Sequence, residues 1–509
     1  MRNFDRRRFL RISGIIFSAS AVSPIALSGC GVVGGALKLT LPYMPPHWDP
    51  TVGKASLDPG FQSYYRAVFD PFIAQNPDLT FFPGILTNWG WRDNYTKIFM
   101  EVRDDAFWHD GAPIVPEDVV WSIERASGPE SQNPVRFIWN KVTNFRVSGY
   151  DIEADVIEFD PTFFKWMGFL TGFVMPKHAY LNVGAEAWRD KPIGSGPYMI
   201  DKFKSDKYVR LKAFNKYWGG KPAFENVEIN FASTVEDRVA KLEGNDTDLI
   251  TDIPTEHFIR LTKKGFVGQS YPVSDIGLIF LSNKGPMSDK NIRLAMHFAI
   301  DKRKIVDKLF SDFARPIDTL QVPEYVAYEP TSRFGYDPDL ARKYLSRSGF
   351  SAQNPVKFTI QTTDGHKPKD LETVTEIIEM WKSVGIEADI EIIDSARYLD
   401  LRSRNELAPA CFYNWHNAMA DPATSTGFAM YSQSQSSTFK SSELDKLIDP
   451  LWSETDEGKR ISGFKDVDRF ILEEGLVIPV LQYFKSVVHR PGIQFISYAS
   501  GVILPQKIT

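Results

Sequence analysis

Apolar and polar positions alternate cleanly in two stretches of the chain, and each stretch has strand–helix–strand order. The first opens with Val227-Glu228-Ile229-Asn230-Phe231, the pattern of a half-buried strand. Ser233 or Thr234 then caps a helix reaching Leu242, and Gly244-Asn245-Asp246 turns the chain into Asp248-Leu249-Ile250. The second opens with Val356 to Gln361. A helix follows from about Leu371 to Ser383, with Val374, Ile377, Ile378 and Trp381 on one stripe, and Gly385 stands just past its end. Ile386 to Ile392 alternates again. Each stretch predicts a βαβ unit with a parallel strand pair, and the separation of the two predicts two α/β lobes, not one large sheet. Between them lie helices with marked edges. Ser288 is expected to cap one bearing Ile292, Ala295, Met296 and Ala299. Asp301 caps the next, with Ile305, Val306 and Leu309 inward, and Asp337-Pro338 starts another that Gly349 closes. Leu444 to Leu451 and Ile461 to Ile471 read as two amphipathic helices. Residues 72–190, rich in turns such as Asn76-Pro77-Asp78 and Asp110-Gly111, read as a smaller α+β region.

The amino terminus changes the picture. Arg6-Arg7-Arg8-Phe9-Leu10-Arg11, an apolar stretch from Ile12 to Leu27, and Leu27-Ser28-Gly29-Cys30 describe a signal peptide over residues 1–29. The stretch is too short and interrupted to span a bilayer. Its start resembles a twin-arginine signal, and its end a lipobox with Cys30 as the lipidated residue, unless the signal is cut elsewhere and Cys30 discarded. The expected place is the periplasm, with a lipid anchor as membrane contact. The only other cysteine, Cys411, reads as a small buried hydrophobe. Removing residues 1–29 takes away five Arg and one Asp, which moves the net charge from −5 to −9. That balance leaves no basic footprint for nucleic acid. The 509 residues exceed one core, so two or three domains are expected. The 12 Trp leave room for an aromatic-lined cavity.

Several ordered motifs then carry a resemblance. Phe107-Trp108-His109-Asp110-Gly111-Ala112-Pro113 is followed by Pro116-Glu117-Asp118-Val119-Val120-Trp121-Ser122. Pro192-Ile193-Gly194-Ser195-Gly196-Pro197-Tyr198, the pair Asp289 to Ala295 and Ala299 to Lys302, and Trp415 to Asp421-Pro422 come after it. Together, from about residue 39 to 490, they resemble extracellular solute-binding protein family 5, whose members bind oligopeptides, dipeptides, glutathione, opines, oligosaccharides or nickel. The resemblance implies an α/β, two-lobed periplasmic-binding-protein-like fold (type II, large three-domain variant) with an α+β insert. Lobe I would be discontinuous, comprising 38–59, 191–270 and 482–509, with the insert at 60–190 and lobe II at 271–481. It implies a monomeric binding component of an ABC importer. That component captures a peptide-like, opine-like or oligosaccharide-like solute between the lobes and hands it to the permease and ATPase of the inner membrane, with no cofactor.

The resemblance makes Trp415 a wall of the ligand chamber, with Asn414, His416 and Asn417 beside it as hydrogen-bonding groups. It aligns Arg402, across a one-residue gap, with an arginine that meets a ligand carboxylate. Thr362, Thr363 and His366 follow the carboxyl end of a parallel strand, where α/β folds bind ligands. Peptide-binding relatives hold the ligand ammonium with an Asp three residues after the Trp; here that position is Ala418, and Asp421 belongs to an Asp-Pro turn. A solute whose corresponding end is uncharged is therefore expected. Enzyme chemistry finds no footing: there is no Gly-x-Ser-x-Gly, and the eight His hold no pair at helix spacing. No catalytic and no metal-ligating residues are assigned. A nickel-type metal or chelate carrier acting through His416, and a chaperone-like exported binder, remain as alternatives.

Overall fold

The computed structural model describes residues 35–509 except 54, 55, 57 and 332, so Cys30 and the export signal lie outside the described residues. The first strand among the described residues is β1 (Leu37–Leu41). The turn-rich region follows with β2 (Ile73–Gln75), β3 (Phe81–Pro83), β4 (Leu86–Arg92), β5 (Lys97–Val102), β6 (Val142–Ser148) and β7 (Asp151–Val156). Next come β8 (Tyr198–Lys204), β9 (Tyr208–Ala213), β10 (Asn226–Phe231), β11 (Leu249–Thr251) and the long β12 (Val267–Leu281). The last are β13 (Ala314–Pro316), β14 (Val356–Thr362), β15 (Ile386–Ile392), β16 (Ala410–His416) and β17 (Val477–His489). One sheet runs β15-β14-β16-β12-β17-β11-β1-β10-β9-β8, with β13 beside β17. β4-β5-β7-β6 form a separate antiparallel sheet, and β2 pairs with β3. No helix among the described residues is long and apolar enough to cross a membrane.

Both strand–helix–strand units form, with two differences from the pattern reading. The Thr234 hydroxyl accepts from the Asp237 amide and caps the helix Val235–Glu243 between β10 and β11. Those two strands are not neighbours, however. β1 lies between them, parallel to both, a partner some 190 residues away in sequence that local periodicity cannot reveal. The second unit is direct: β14 and β15 pair in parallel, and the helix Asp370–Lys382 buries Val374, Ile377 and Trp381. β15 is the sheet's edge, so its alternation does not make two equal faces, and Ile392 is 55% exposed. The helix Lys290–Phe298 is capped by Asp289 rather than Ser288, since the Asp289 carboxylate accepts from the Asn291 amide at 2.8 Å. Asp301 and Asp337 cap as expected. Cys411 is buried and unpaired, and burial pushes its thiol up to about 12.

Against the expectation that there is not one large sheet, the strands of both units belong to a single sheet, whose halves are joined by β12 and β17 running antiparallel along each other, a pairing across some 200 residues that local pattern does not show. Their register slips between Pro272 and Ile276, where four steps along β12 match two along β17. That bulge twists the ladder where the halves meet, and the Gln482 side-chain amide donates across it to the Val273 carbonyl at 2.8 Å.

The Phe107–Ser122 and Pro192–Tyr198 motifs prove to be one structural clamp. Trp108 is fully buried, and its indole N–H donates to Asp118 at 3.0 Å; Pro116 starts the helix Pro116–Ser127. The His109 ring lies between two glycines. The Gly194 amide donates to Nδ1 at 3.2 Å, and Nε2 lies 3.0 Å from the Gly196 carbonyl. A Cβ on Gly194 would sit 1.9 Å from the Val68 carbonyl oxygen, so only glycine fits. Burial pulls the His109 pKa down to about 4. A folded pKa below the unfolded value near 6.5 means stability is full above about pH 6.5 and falls as pH drops toward 4. Between pH 6.5 and 4.5 the protein should lose about 2 kcal/mol more stability than His109→Gln, in urea melts taken across that range. Parallel slopes for the two proteins would remove His109 from the acid response.

Candidate functional site

β16 delivers the central side chains. Trp415 lies opposite Ile276 of β12, and its ring packs edge-on against Phe280. The Arg402 guanidinium sits 4.9 Å from the Trp415 ring and 4.5 Å from that of Phe280. Arg402 ends the helix Ser395–Ser403 and is 7% exposed. Its Nε donates to the Ser436 carbonyl at 2.7 Å, one terminal nitrogen donates to the Tyr398 hydroxyl, and the other has no partner. None of these contacts is a carboxylate. A buried guanidinium without a counter-charge is costly, and a planar fork beside an indole suits a planar anion.

The neighbours of Trp415 divide into committed and open groups. The Asn414 amide donates to Asp275 at 2.7 Å, and its oxygen lies 2.9 Å from His366 Nε2. Asp275 also takes the Lys367 ammonium; burial, the largest single effect, raises its carboxyl, but Lys367, His416 and the Asn414 amide together outweigh it and hold the group below the usual range. His416 is open: neither ring nitrogen has a partner, and burial lowers its pKa to about 4. Its ring faces that of Phe169 at 6.2 Å. The Asn417 amide nitrogen donates to the Asp421 carbonyl at 3.0 Å, whereas its side-chain oxygen has no partner. Ala418 is buried, and its carbonyl accepts from the Gln75 amide at 2.5 Å. Thr362 and Thr363 stand apart from this group. The Thr363 hydroxyl donates to Asp370 at 2.6 Å, and that carboxylate also gathers the amides of Gly365, His366 and Lys367. The Thr362 hydroxyl reaches only the Thr363 carbonyl.

Several residues here carried no signal in the sequence. Asp421 is 0% exposed and held by Arg460 at 2.5 Å and Lys165 at 2.6 Å, so both its oxygens are occupied. Arg460 stands just before the stretch read as an amphipathic helix, and Lys165 lies 256 residues before Asp421; nothing local pairs them. Beside Ala418 and His416, Gln62, Arg66, Gln75 and Phe169 narrow the space to about 10 Å³. Arg66 donates to the Gly168 carbonyl at 2.9 Å, its Nε has no partner, and burial lowers its pKa to about 10. Around Ala418 there is thus a guanidinium and no carboxylate among the lining residues.

A sheet whose two halves share two long strands, an α+β insert, and an aromatic and cationic group at the mouth of β16 define a two-lobed solute-binding protein. The chain belongs to the bacterial extracellular solute-binding proteins, family 5, whose "Middle" model matches residues 80–437. It is 22% identical to the periplasmic murein peptide-binding protein MppA of Escherichia coli, over 86% of this chain and 88% of that one. It is 23% identical to the nickel-binding periplasmic protein of the same organism, over 85% and 87%. Among solved structures, the ABC transporter substrate-binding protein CtaP of Listeria monocytogenes superposes with a TM-score of 0.82 at 19% identity, covering 93% of this chain and 99% of that one. The protein is a substrate-binding protein of the ABC-transporter class, and not an enzyme.

Proposed function

We propose that this protein captures a small solute bearing an anionic group and lacking a free ammonium at the end facing Ala418, and delivers it to an ABC permease and ATPase. The observation that carries the reading is Arg402, buried against Trp415 with no carboxylate among its contacts. The absence of an acid around Ala418, with Asp421 already held by two cations, supports the other half. Amino-blocked peptides and opine-type conjugates have this charge pattern. Binding favours the closed arrangement because the solute contacts both lobes only there. Calorimetry with paired tripeptide libraries, one free and one amino-acetylated, tests the reading: micromolar binding is expected from the acetylated library alone. Tight binding of free-amino peptides that is lost in Asp421→Asn would overturn it.

A chelate carrier is the second reading, since two relatives are named for nickel and both His416 ring nitrogens lack partners. Among the described residues no three His, Cys, Asp or Glu side chains gather to hold a metal ion. Such a carrier would therefore take a metal already wrapped by a small ligand, and nickel–histidine added to the same calorimeter separates the two readings.

The proposed place of action is the outer face of the membrane, anchored through lipid on Cys30. Cys30→Ser protein should be exported yet leave the membrane fraction for the soluble one. Continued sedimentation after a salt wash would remove the anchor.

A further inference from the structure

The small-sheet region is fastened to the β8–β9 side of the large sheet by buried bonds, and meets the lobe that carries β16 mainly at a few polar points. On the first side, His109 is held between Gly194 and Gly196. The Asp70 carboxylate, 3% exposed, accepts from the Tyr217 hydroxyl at 3.1 Å and from the Trp218 indole at 3.2 Å, both in the loop after β9. On the second side, Gln75 donates to the Ala418 carbonyl, and the Tyr95 hydroxyl reaches the Thr455 carbonyl only at 3.5 Å. Lys165, on the helix Phe163–Met167, meets Asp421 at 2.6 Å. Between these points the surfaces stand apart. A gap of about 350 Å³ has the partly buried rings of Trp91, Phe159 and Phe164 on one side, and Glu457 and Arg460 of the helix Glu457–Glu474 on the other. Phe137, whose ring lies 5.6 Å from that of Phe428, stays 46% exposed. A polar, incompletely packed contact between domains is the kind that opens and closes.

The two cations on Asp421 hold it in different ways. Arg460 belongs to the same lobe as Asp421, and its side chain is buried. Its two terminal nitrogens donate to both carboxylate oxygens, at 2.5 and 3.2 Å, and the Ala423 amide adds a bond at 2.9 Å. Lys165 comes from across the gap, and its side chain keeps 22% exposure. Its other acidic contact, Glu457 at 3.4 Å, also lies across the gap. Parting the two surfaces therefore leaves Asp421 paired with Arg460 through both oxygens and returns the Lys165 ammonium to water. No buried charge is stranded, so the large cost of splitting a buried pair does not arise. An ion pair of this kind stabilises one arrangement of the lobes and leaves the other sound, which is the differential contact that shifts an equilibrium. We propose that Lys165 is a closure latch: its bond to Asp421 forms only when the small-sheet region closes on the β16 lobe, and it sets how much of the protein is closed before any solute binds. Lys165 is thus a positioning residue for capture, acting through Asp421 and the arrangement of the lobes without touching the solute.

Double electron–electron resonance on exported Cys30→Ser protein, freed of solute, tests this. Nitroxides go on Tyr150→Cys of the small-sheet region and Lys446→Cys of the facing lobe. Tyr150 is 41% exposed and the Lys446 side chain 71%, whereas Cys411 is buried and stays unlabelled. Two separations are expected. Lys165→Met should lower the ratio of the shorter to the longer about fivefold, the effect of losing one partly exposed ion pair. Lys165→Arg keeps the charge and should stay within about twofold of the wild type. The urea midpoint of Lys165→Met should stay near that of the wild type, because Arg460 still holds Asp421. An unchanged ratio in Lys165→Met, or a wild-type distribution that lacks the shorter separation, overturns the proposal. So does a Lys165→Met midpoint that falls as far as that of Arg460→Met, since the pair would then belong to the fixed fold. No solute enters the measurement, so the latch and the charge pattern proposed for the solute can fail separately.

Discussion

Arg460→Met should destabilise the protein by about 3–5 kcal/mol, the cost of stranding one member of a buried ion pair. Asp421 has no exposure, and Arg460 is its closest cation at 2.5 Å. With methionine in place, Lys165, whose side chain is 22% exposed, and the Ala423 amide at 2.9 Å are left to hold a carboxylate taken out of water. The double variant Asp421→Asn/Arg460→Met should recover a large part of the loss, because no uncompensated charge remains. Urea midpoints of the two single variants and the double measure the coupling. An Arg460→Met midpoint equal to wild type would mean that Lys165 alone neutralises Asp421.

Arg402→Met should weaken binding of the physiological solute at least a hundredfold, and Trp415→Ala at least tenfold, with both proteins folded. Removing one partner of a desolvated, hydrogen-bonded charge pair costs about 2–5 kcal/mol, and truncating a buried aromatic anchor about 2 kcal/mol or more. Methionine fills the space between Trp415, Phe280 and Tyr398 and leaves no buried cation, so Arg402→Met is expected to keep or raise stability while losing affinity. That opposition is the signature of a charge placed for a ligand. The solute recovered by native mass spectrometry from the purified protein serves as the calorimetric probe. Unchanged affinity in Arg402→Met, with stability lost, would return Arg402 to the core of its lobe.

The local elements were legible because their signals are local. Alternation in Val227–Phe231 and Val356–Gln361, the Thr234, Asp301 and Asp337 caps, and the Pro116 helix start depend on residues within a few positions of one another. The one cap placed a residue early, Ser288 for Asp289, shows how weakly sequence separates adjacent capping residues. The ordered motifs carried the family as well, although the His109 imidazole that binds two of them together at Gly194 and Gly196 showed only in three dimensions.

By itself the sequence determined the class of fold, the binding role, and the absence of an acid at Ala418, since each follows from residue identity and order along the chain. Only the tertiary structure decided who stands next to whom across long separations. β1 enters between β10 and β11, and Lys165 and Arg460 close on Asp421. Arg402 lies under Trp415 with no counter-charge among its contacts, and two polar threonines turn away to their own loop. The physical reason is that a charge or a hydroxyl has no fixed meaning in sequence. Whether it is paired, exposed or left for a ligand depends on burial and on partners brought in from elsewhere in the chain.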